Sequence, residues 1–192
     1  DSIQTLISGV TASLDLLQAA VAAKADAILV HHGYFWRGED MRITGMKSRR
    51  IALLMQQQIN LFAYHLPLDA HPHLGNNALL GKKLGLIETG RFGEQEIGII
   101  GELPQAVTLN TFSHKISRTL LRKPMIIGDP DKPVRQIAWC TGAAQDYFEL
   151  AIQQGIDAYL TGEISERHVH LARESGVAFI VAGHHATERY GV

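Results

Sequence analysis

The sequence predicts an α/β fold made of two related α/β units, with sheets flanked by helices and a metal site between the units. Three observations lead there. Short apolar strands alternate with helical patterns. A pattern near the start of the chain recurs in its second half, Thr141 following Thr11 by 130 positions and Asp157 following Asp26 by 131. Histidines and carboxylates come directly after several of the predicted strands, where open α/β sheets place their sites.

The elements follow in order. A strand is predicted from Ile3 to Val10, and Thr11 or Ser13 then caps a helix running to about Lys24, with Leu14, Leu17, Ala20 and Val21 on one face. Ala27 to Val30 is a short strand that ends at His31-His32-Gly33. A second helix, about Met46 to Gln57, leads to a strand from Leu61 to Tyr64 that ends at His65. Gly75 and Asn76 open a third helix, stopped near Gly85.

From Leu86 to Gln136 the pattern is irregular. It holds a helix from about Asn110 to Leu121, a strand near Met125 to Ile127, and the turn Gly128-Asp129-Pro130-Asp131. Strands are then expected at Ile137 to Cys140, Ala158 to Leu160 and Ala178 to Val181. Helices are expected at Ala143 to Gln154 and Glu166 to Glu174. The division that follows is a first unit over residues 1–88, an irregular connection over 89–133 and a second unit over 134–192. The chain opens on Asp1 and closes just after a histidine motif. It therefore reads as a fragment trimmed at both ends, lacking elements that would close the fold.

Thr11-Ala12-Ser13, a helix and Ala25-Asp26-Ala27-Ile28-Leu29 match Thr141-Gly142-Ala143, a helix and Ile156-Asp157-Ala158-Tyr159-Leu160. The strand into His65 matches the strand into His184, 119 positions later, and on the same register His32 corresponds to Glu163. The two units thus differ in loop length.

A formal net charge of -1 supplies no basic field for a phosphate backbone, which argues against a dedicated nucleic-acid binder. No apolar run reaches the roughly 18 residues of a membrane helix. The single cysteine, Cys140, excludes an internal disulfide framework and fits a reducing, cytoplasmic compartment.

Two His-x-x-x-carboxylate pairs, His65/Asp69 and His184/Glu188, together with the doublet His31-His32, make the donor set of a divalent-metal site. Alone, each has an ordinary explanation, since a His doublet can belong to a capped loop and a helix start favours an acid. All of them at strand ends is what a metal site needs. Asp69 and Glu188 are the natural bridging ligands, and the absence of cysteine among the donors points to an open, catalytic centre rather than a closed structural one. His71 and His73 read as a polar loop, and His114, His168 and His170 as surface or partly packed helix positions. Tyr34-Phe35-Trp36-Arg37-Gly38 either covers a nucleobase or packs on the protein or a subunit interface. Gly75-Asn76-Asn77 either meets an anion or caps its helix.

Val30-His31-His32-Gly33-Tyr34-Phe35-Trp36, His65-Leu66-Pro67-Leu68-Asp69-Ala70-His71 and Gly183-His184-His185-Ala186-Thr187-Glu188 closely resemble the YbgI-like proteins, the GTP cyclohydrolase 1 type 2 homologs. The match spans nearly the whole chain and looks like the short bacterial form. The resemblance implies a ring-shaped homohexamer with two divalent cations per subunit; zinc, iron, manganese, nickel and magnesium are not distinguished. It assigns His31, His32, Asp69, His184 and Glu188 as metal ligands, and it leaves His65 and Glu163 near the metals, as the candidates for proton transfer. Many members carry Pro where this chain has Gly33, a difference in loop stiffness rather than in ligation.

The expected activity is a metal-dependent hydrolase acting on a nucleotide-like small substrate. In the cyclohydrolase form, water opens the guanine ring at C8. Hydrolysis of a phosphate ester would use the same ion pair. A non-enzymatic metal-binding ring or regulatory scaffold is the alternative from another class.

Overall fold

β1 (Leu6–Thr11), α1 (Leu14–Ala22), β2 (Ala27–His32), α2 (Gly45–Gln56) and β3 (Asn60–Ala63) form two successive parallel crossovers, with strand order β1-β2-β3. The computed structural model describes residues 2–192; Asp1, the terminal residue invoked for trimming, lies outside the described residues. The chain divides into two compact units, one of residues up to 68 with Val192, the other of residues 69–191.

In the first unit, period-2 alternation puts Ile7, Ile28, Val30 and Leu61 on one side of the sheet. There they pack against Leu17, Ala20 and Leu54 from the two helices. Ser13 starts α1 by accepting a hydrogen bond from the Leu16 amide. The strands end together, so that β2 delivers His31 and His32 to the same edge at which the chain leaves β3 for His65.

The division falls within α3 (Leu66–Ala70), so residues 69–88 and the stretch 89–133 both pack in the second unit. That unit continues with α4 (Asn76–Leu84), β4 (Ile87–Phe92), β5 (Gly98–Thr108), α5 (Leu109–Leu120), β6 (Met125–Ile127), β7 (Pro133–Trp139), α6 (Phe148–Ile152), β8 (Ala158–Thr161), α7 (Glu166–Ser175), β9 (Ala178–Val181) and α8 (His184–Glu188). Its six-stranded sheet has the order β4-β5-β7-β8-β9-β6, with β7, β8 and β9 parallel and the outer strands antiparallel.

The stretch expected to be irregular therefore contains a long antiparallel ladder. Gly90, Gly93, Gly98, Gly101 and Pro104 interrupt the alternation that would have revealed it, and pairing of β5 with β7 supplies the order that local propensity lacks. The helix expected from Ala143 to Gln154 is shorter: a single 3₁₀ turn, Gln145–Tyr147, precedes α6.

Helices cover both faces of this sheet. Leu80 and Leu84 of α4 and Leu109, Phe112, Ile116 and Leu120 of α5 pack on Ile137, Trp139, Leu160 and Ile180. Phe148 and Ala151 of α6 and Ala172 of α7 pack on Ala138, Tyr159 and Phe179 on the other side. His168, expected at or near the surface, is buried there, stacked on Phe179 with ring centroids 5.6 Å apart. Its Nδ1 accepts from the Ser165 amide, and burial lowers its pKa. His114 and His170 are exposed.

The repeat reappears as a hydrogen-bond pattern. The Asp26 amide donates to the Thr5 carbonyl (2.9 Å) while the Asp26 carboxylate accepts from the Gln4 and Thr5 amides (2.9 and 2.8 Å). Likewise the Asp157 amide donates to the Gln136 carbonyl (2.8 Å) and its carboxylate accepts from the Arg135 and Gln136 amides (2.8 and 2.9 Å). Each aspartate thus locks the start of the central strand of its parallel trio, β2 or β8, to the strand before it.

Candidate functional site

In the first unit the site residues are imidazoles. His31, His32 and His65 each offer a ring nitrogen, and these atoms all lie within 4.8 Å of one another. His31 is fully buried. Its Nδ1 lies 3.0 Å from the Tyr64 carbonyl, an acceptor, so Nδ1 carries the proton and Nε2 is the nitrogen that would ligate. The Nδ1 of His32 lies 3.1 Å from Thr11 Oγ1; with that hydroxyl accepting, Nε2 is its ligating atom as well. Nitrogen ligands sit about 2.0–2.1 Å from a bound ion, so atoms sharing one ion are no more than roughly 4.2 Å apart, and a cluster within 4.8 Å would have to draw together slightly on binding. The cluster fits a metal.

The aromatic segment after the doublet splits in two. Tyr34 packs inward, its hydroxyl donating to the Ala12 carbonyl at 2.7 Å. Phe35 and Trp36 remain exposed, at 54% and 41%. Trp36 meets the His65 ring edge-on, with centroids 4.8 Å apart.

In the second unit the donors are Asp69, His184 and Glu188. Asp69 leaves the end of α3 buried, and its Oδ1 accepts from Asn76 Nδ2 (2.9 Å) and Thr141 Oγ1 (3.2 Å). A carboxylate oxygen of Asp69 and one of Glu188 lie within 4.8 Å of each other. His184 and Glu188 open and close α8, one helical turn apart on the same face, with Nε2 and Oε2 separated by 3.0 Å. The Nδ1 of His184 is 2.5 Å from Oε1 of Glu163, which follows β8. The Glu188 contact raises the His184 pKa first, burial opposes it, and Glu163 adds to the rise; the value is about 9.

Gly142 shapes this pocket. Its φ is +70°, and a Cβ there would collide with the Glu188 carboxylate, so only glycine lets that carboxylate lie against the turn after β7. The Gly142 amide is capped by Thr187 Oγ1 at 3.0 Å, and Thr161 Oγ1 donates to its carbonyl at 3.1 Å.

Several supporting residues escaped the sequence reading. Gly75 is the N-cap of α4, without a side-chain bond, and the Asn76 and Asn77 side chains point to other partners. Both are buried supports: Asn76 holds Asp69 and accepts from the Gly191 amide, and Asn77 accepts from the Thr141 amide at 2.8 Å. Their only signal in the sequence is a pair of amides just before a helix. Thr141 stood out only as a landmark of the repeat, and Thr187 carried no signal of its own. His71 uses Nδ1 to accept from the His73 and Leu74 amides, as a loop residue does.

The fold and site define an α/β protein whose parallel strands lead into imidazole and carboxylate groups that could hold a metal ion. The chain belongs to the Duf34/NIF3 (NGG1p interacting factor 3) family, whose model matches residues 1–192. It is 54% identical over 187 residues to a Neisseria meningitidis protein called GTP cyclohydrolase 1 type 2 homolog, covering 97% of this chain and 75% of that one. It is 51% identical over 193 residues to a Pseudomonas aeruginosa protein of the same name, covering 99% and 76%. Among solved structures it resembles protein ybgI, of unknown function, with a TM-score of 0.96 and 47% identity over 100% of this chain and 77% of that one. A Thermus thermophilus protein superposes with a TM-score of 0.85 at 30% identity, covering 100% and 76%. Among the described residues no helix is long and apolar enough to cross a membrane.

Proposed function

We propose that this protein is a divalent-metal-dependent hydrolase that acts on a nucleotide or a related small substrate through a dinuclear centre. The observation that carries the reading is the orientation of its imidazoles. His31, His32 and His184 each commit Nδ1 to a neighbouring oxygen, which leaves Nε2 as the ring nitrogen that would ligate an ion. Proteins whose histidines serve only as packing have no need of three rings pinned alike.

His31, His32, Asp69, His184 and Glu188 would hold the two ions in each subunit of a ring of six copies. When bound, such an ion pair supplies an activated water and a clamp for a substrate oxygen. Glu163 acts through His184, fixing its tautomer and orientation, and is a positioning residue. His65, beside the ligands and half-buried, is the group suited to move a proton. Trp36 presents an exposed ring beside His65, where a nucleobase can stack. The name borne by relatives about half identical in sequence supports ring opening of a guanine nucleotide as the reaction to test first.

Elemental analysis of the purified chain after metal supplementation tests the centre: two divalent ions per chain are expected, and fewer than one, or full retention in Asp69→Ala with Glu188→Ala, refutes it. The chemistry is tested by a hydrolysis screen of the loaded protein on guanine nucleotides and phosphate esters. Loss of turnover in His65→Ala with metal content intact supports the reading. No turnover of any of these substrates by fully loaded protein refutes it in favour of a metal-binding scaffold.

A further inference from the structure

One pocket of the second unit is lined by cations. It encloses about 300 Å³ between the end of α5 and the start of α8, bounded by Leu120, Leu121, Arg122, Gly183, His184 and Arg189. Arg122 lies across Gly183: a Cβ on that glycine would come within 2.5 Å of Arg122 Nε and 3.1 Å of Cζ. The guanidinium is therefore seated on bare backbone, one residue from His184. Arg189, half-buried, donates to the Leu120 carbonyl at 2.6 Å, which fixes a second guanidinium at the same opening.

Among the described residues neither arginine is ion-paired to a carboxylate. Glu163 and Glu188 are both engaged with His184. Two guanidinium groups lining one pocket form a receptor for a tetrahedral dianion, since guanidinium geometry matches a pair of phosphate oxygens. The volume of about 300 Å³ has ample room for a phosphoryl group.

We infer that Arg122 and Arg189 form an anion subsite that holds a phosphate group of the substrate beside His184. The inference rests on the hydrolase reading and narrows its substrate to a phosphorylated small molecule. The phosphate is bound and oriented there, and the bond that breaks is set by what then reaches the ligand cluster.

Calorimetry on the full chain stripped of metal with chelator tests this with guanosine 5′-monophosphate and guanosine as probes. The monophosphate should bind more tightly than the nucleoside, in competition with inorganic phosphate. In Arg122→Gln its affinity should fall about tenfold or more, the scale of one lost charge-assisted pair, while Arg122→Lys keeps part of it. Guanosine should bind all three chains alike. The inference is overturned if the native chain binds monophosphate no better than guanosine, or if Arg122→Gln binds it as tightly as the native chain while its circular dichroism is unchanged. Should Arg122→Gln fail to fold, Arg122→Lys carries the same comparison. The outcomes separate this inference from the hydrolase reading. Monophosphate binding that needs Arg122, in a chain that takes up no divalent ion, leaves the subsite standing without the metal centre. Full metal loading and turnover with monophosphate affinity unaffected by Arg122→Gln does the reverse.

Discussion

Gly162 connects β8 to Glu163, and replacing it with alanine tests how closely the strand ends of the second unit are packed. An alanine Cβ would lie 2.5 Å from the Gly142 carbonyl oxygen, 2.7 Å from His184 Cα and 2.9 Å from His184 N. All three are backbone atoms, so no side chain can rotate away. Restoring ordinary contacts of about 3.5 Å requires the turns after β7 and β9 to move apart by roughly 0.6–1 Å. Overpacking of this kind costs about 1–3 kcal/mol. The same movement stretches the Gly162 amide bond to the Gly142 carbonyl (2.9 Å) and the Gly183 amide bond to the Gly162 carbonyl (3.2 Å), adding about 1 kcal/mol.

A total of about 2–4 kcal/mol corresponds to a fall in melting temperature of roughly 4–16 °C in a chain of this size. Thermal melts followed by circular dichroism measure it. Gly155→Ala is the control: its φ is +71° with open space around it, so it reports backbone strain alone, about 1 kcal/mol. Displacing the turns also separates Glu163 from His184, so divalent-metal affinity should fall in Gly162→Ala and not in Gly155→Ala. A Gly162→Ala chain that melts no lower than Gly155→Ala, with native metal affinity, would refute the packing argument.

Phe148 is fully buried, with its ring centroid 4.7 Å from that of Phe179 and 5.8 Å from that of Tyr159, so Phe148→Ala should lose about 3–5 kcal/mol in urea unfolding; a loss under about 1 kcal/mol contradicts the observed core. Burial, then the Asp69 charge, pushes the Cys140 thiol up to about 12, so it should resist iodoacetamide at pH 8 and react once urea unfolds the chain; prompt labelling of native protein counts against this environment. The Thr5 and Gln4 amides, in that order, hold the Asp26 carboxyl below its ordinary value of 3.8. A depressed pKa contributes stability that is present above the unfolded value and lost as pH falls through the folded one. Asp26→Asn should therefore destabilise the chain at pH 7, with the difference shrinking to nothing in strong acid; a pH-independent difference would assign the effect to something other than ionisation.

Much of this fold was legible because its signals are local. Leu14, Leu17, Ala20 and Val21 mark a helix face by spacing alone, and short apolar runs such as Ala27–Val30 and Ala178–Val181 can be little else than strands between helices. The repeated aspartates Asp26 and Asp157 announced equivalent strand starts, because each serves the same two-amide bond in its own unit. The histidines and acids drew notice because few other arrangements put so many donors directly after strands. The β4–β5 hairpin was hidden, because its glycines erase alternation and its order comes from a partner strand distant in sequence. His168 looked like any polar helix residue until Phe148 and Phe179 closed over it.

The sequence by itself determined that the fold is α/β and which residues carry the chemistry of cation ligands, because side-chain chemistry and strand periodicity are properties of short segments; it set Asp69 in the first unit, where the structure sets it in the second. Only the tertiary structure decided which nitrogen of each imidazole is taken by a neighbouring oxygen. It alone decided that Asn76 and Thr141 hold Asp69, that Glu163 holds His184, and that two arginines flank that histidine. These are matters of distance between segments far apart in the chain, and hydrogen bonds and ion pairs act over a few ångströms that only folding can bring about.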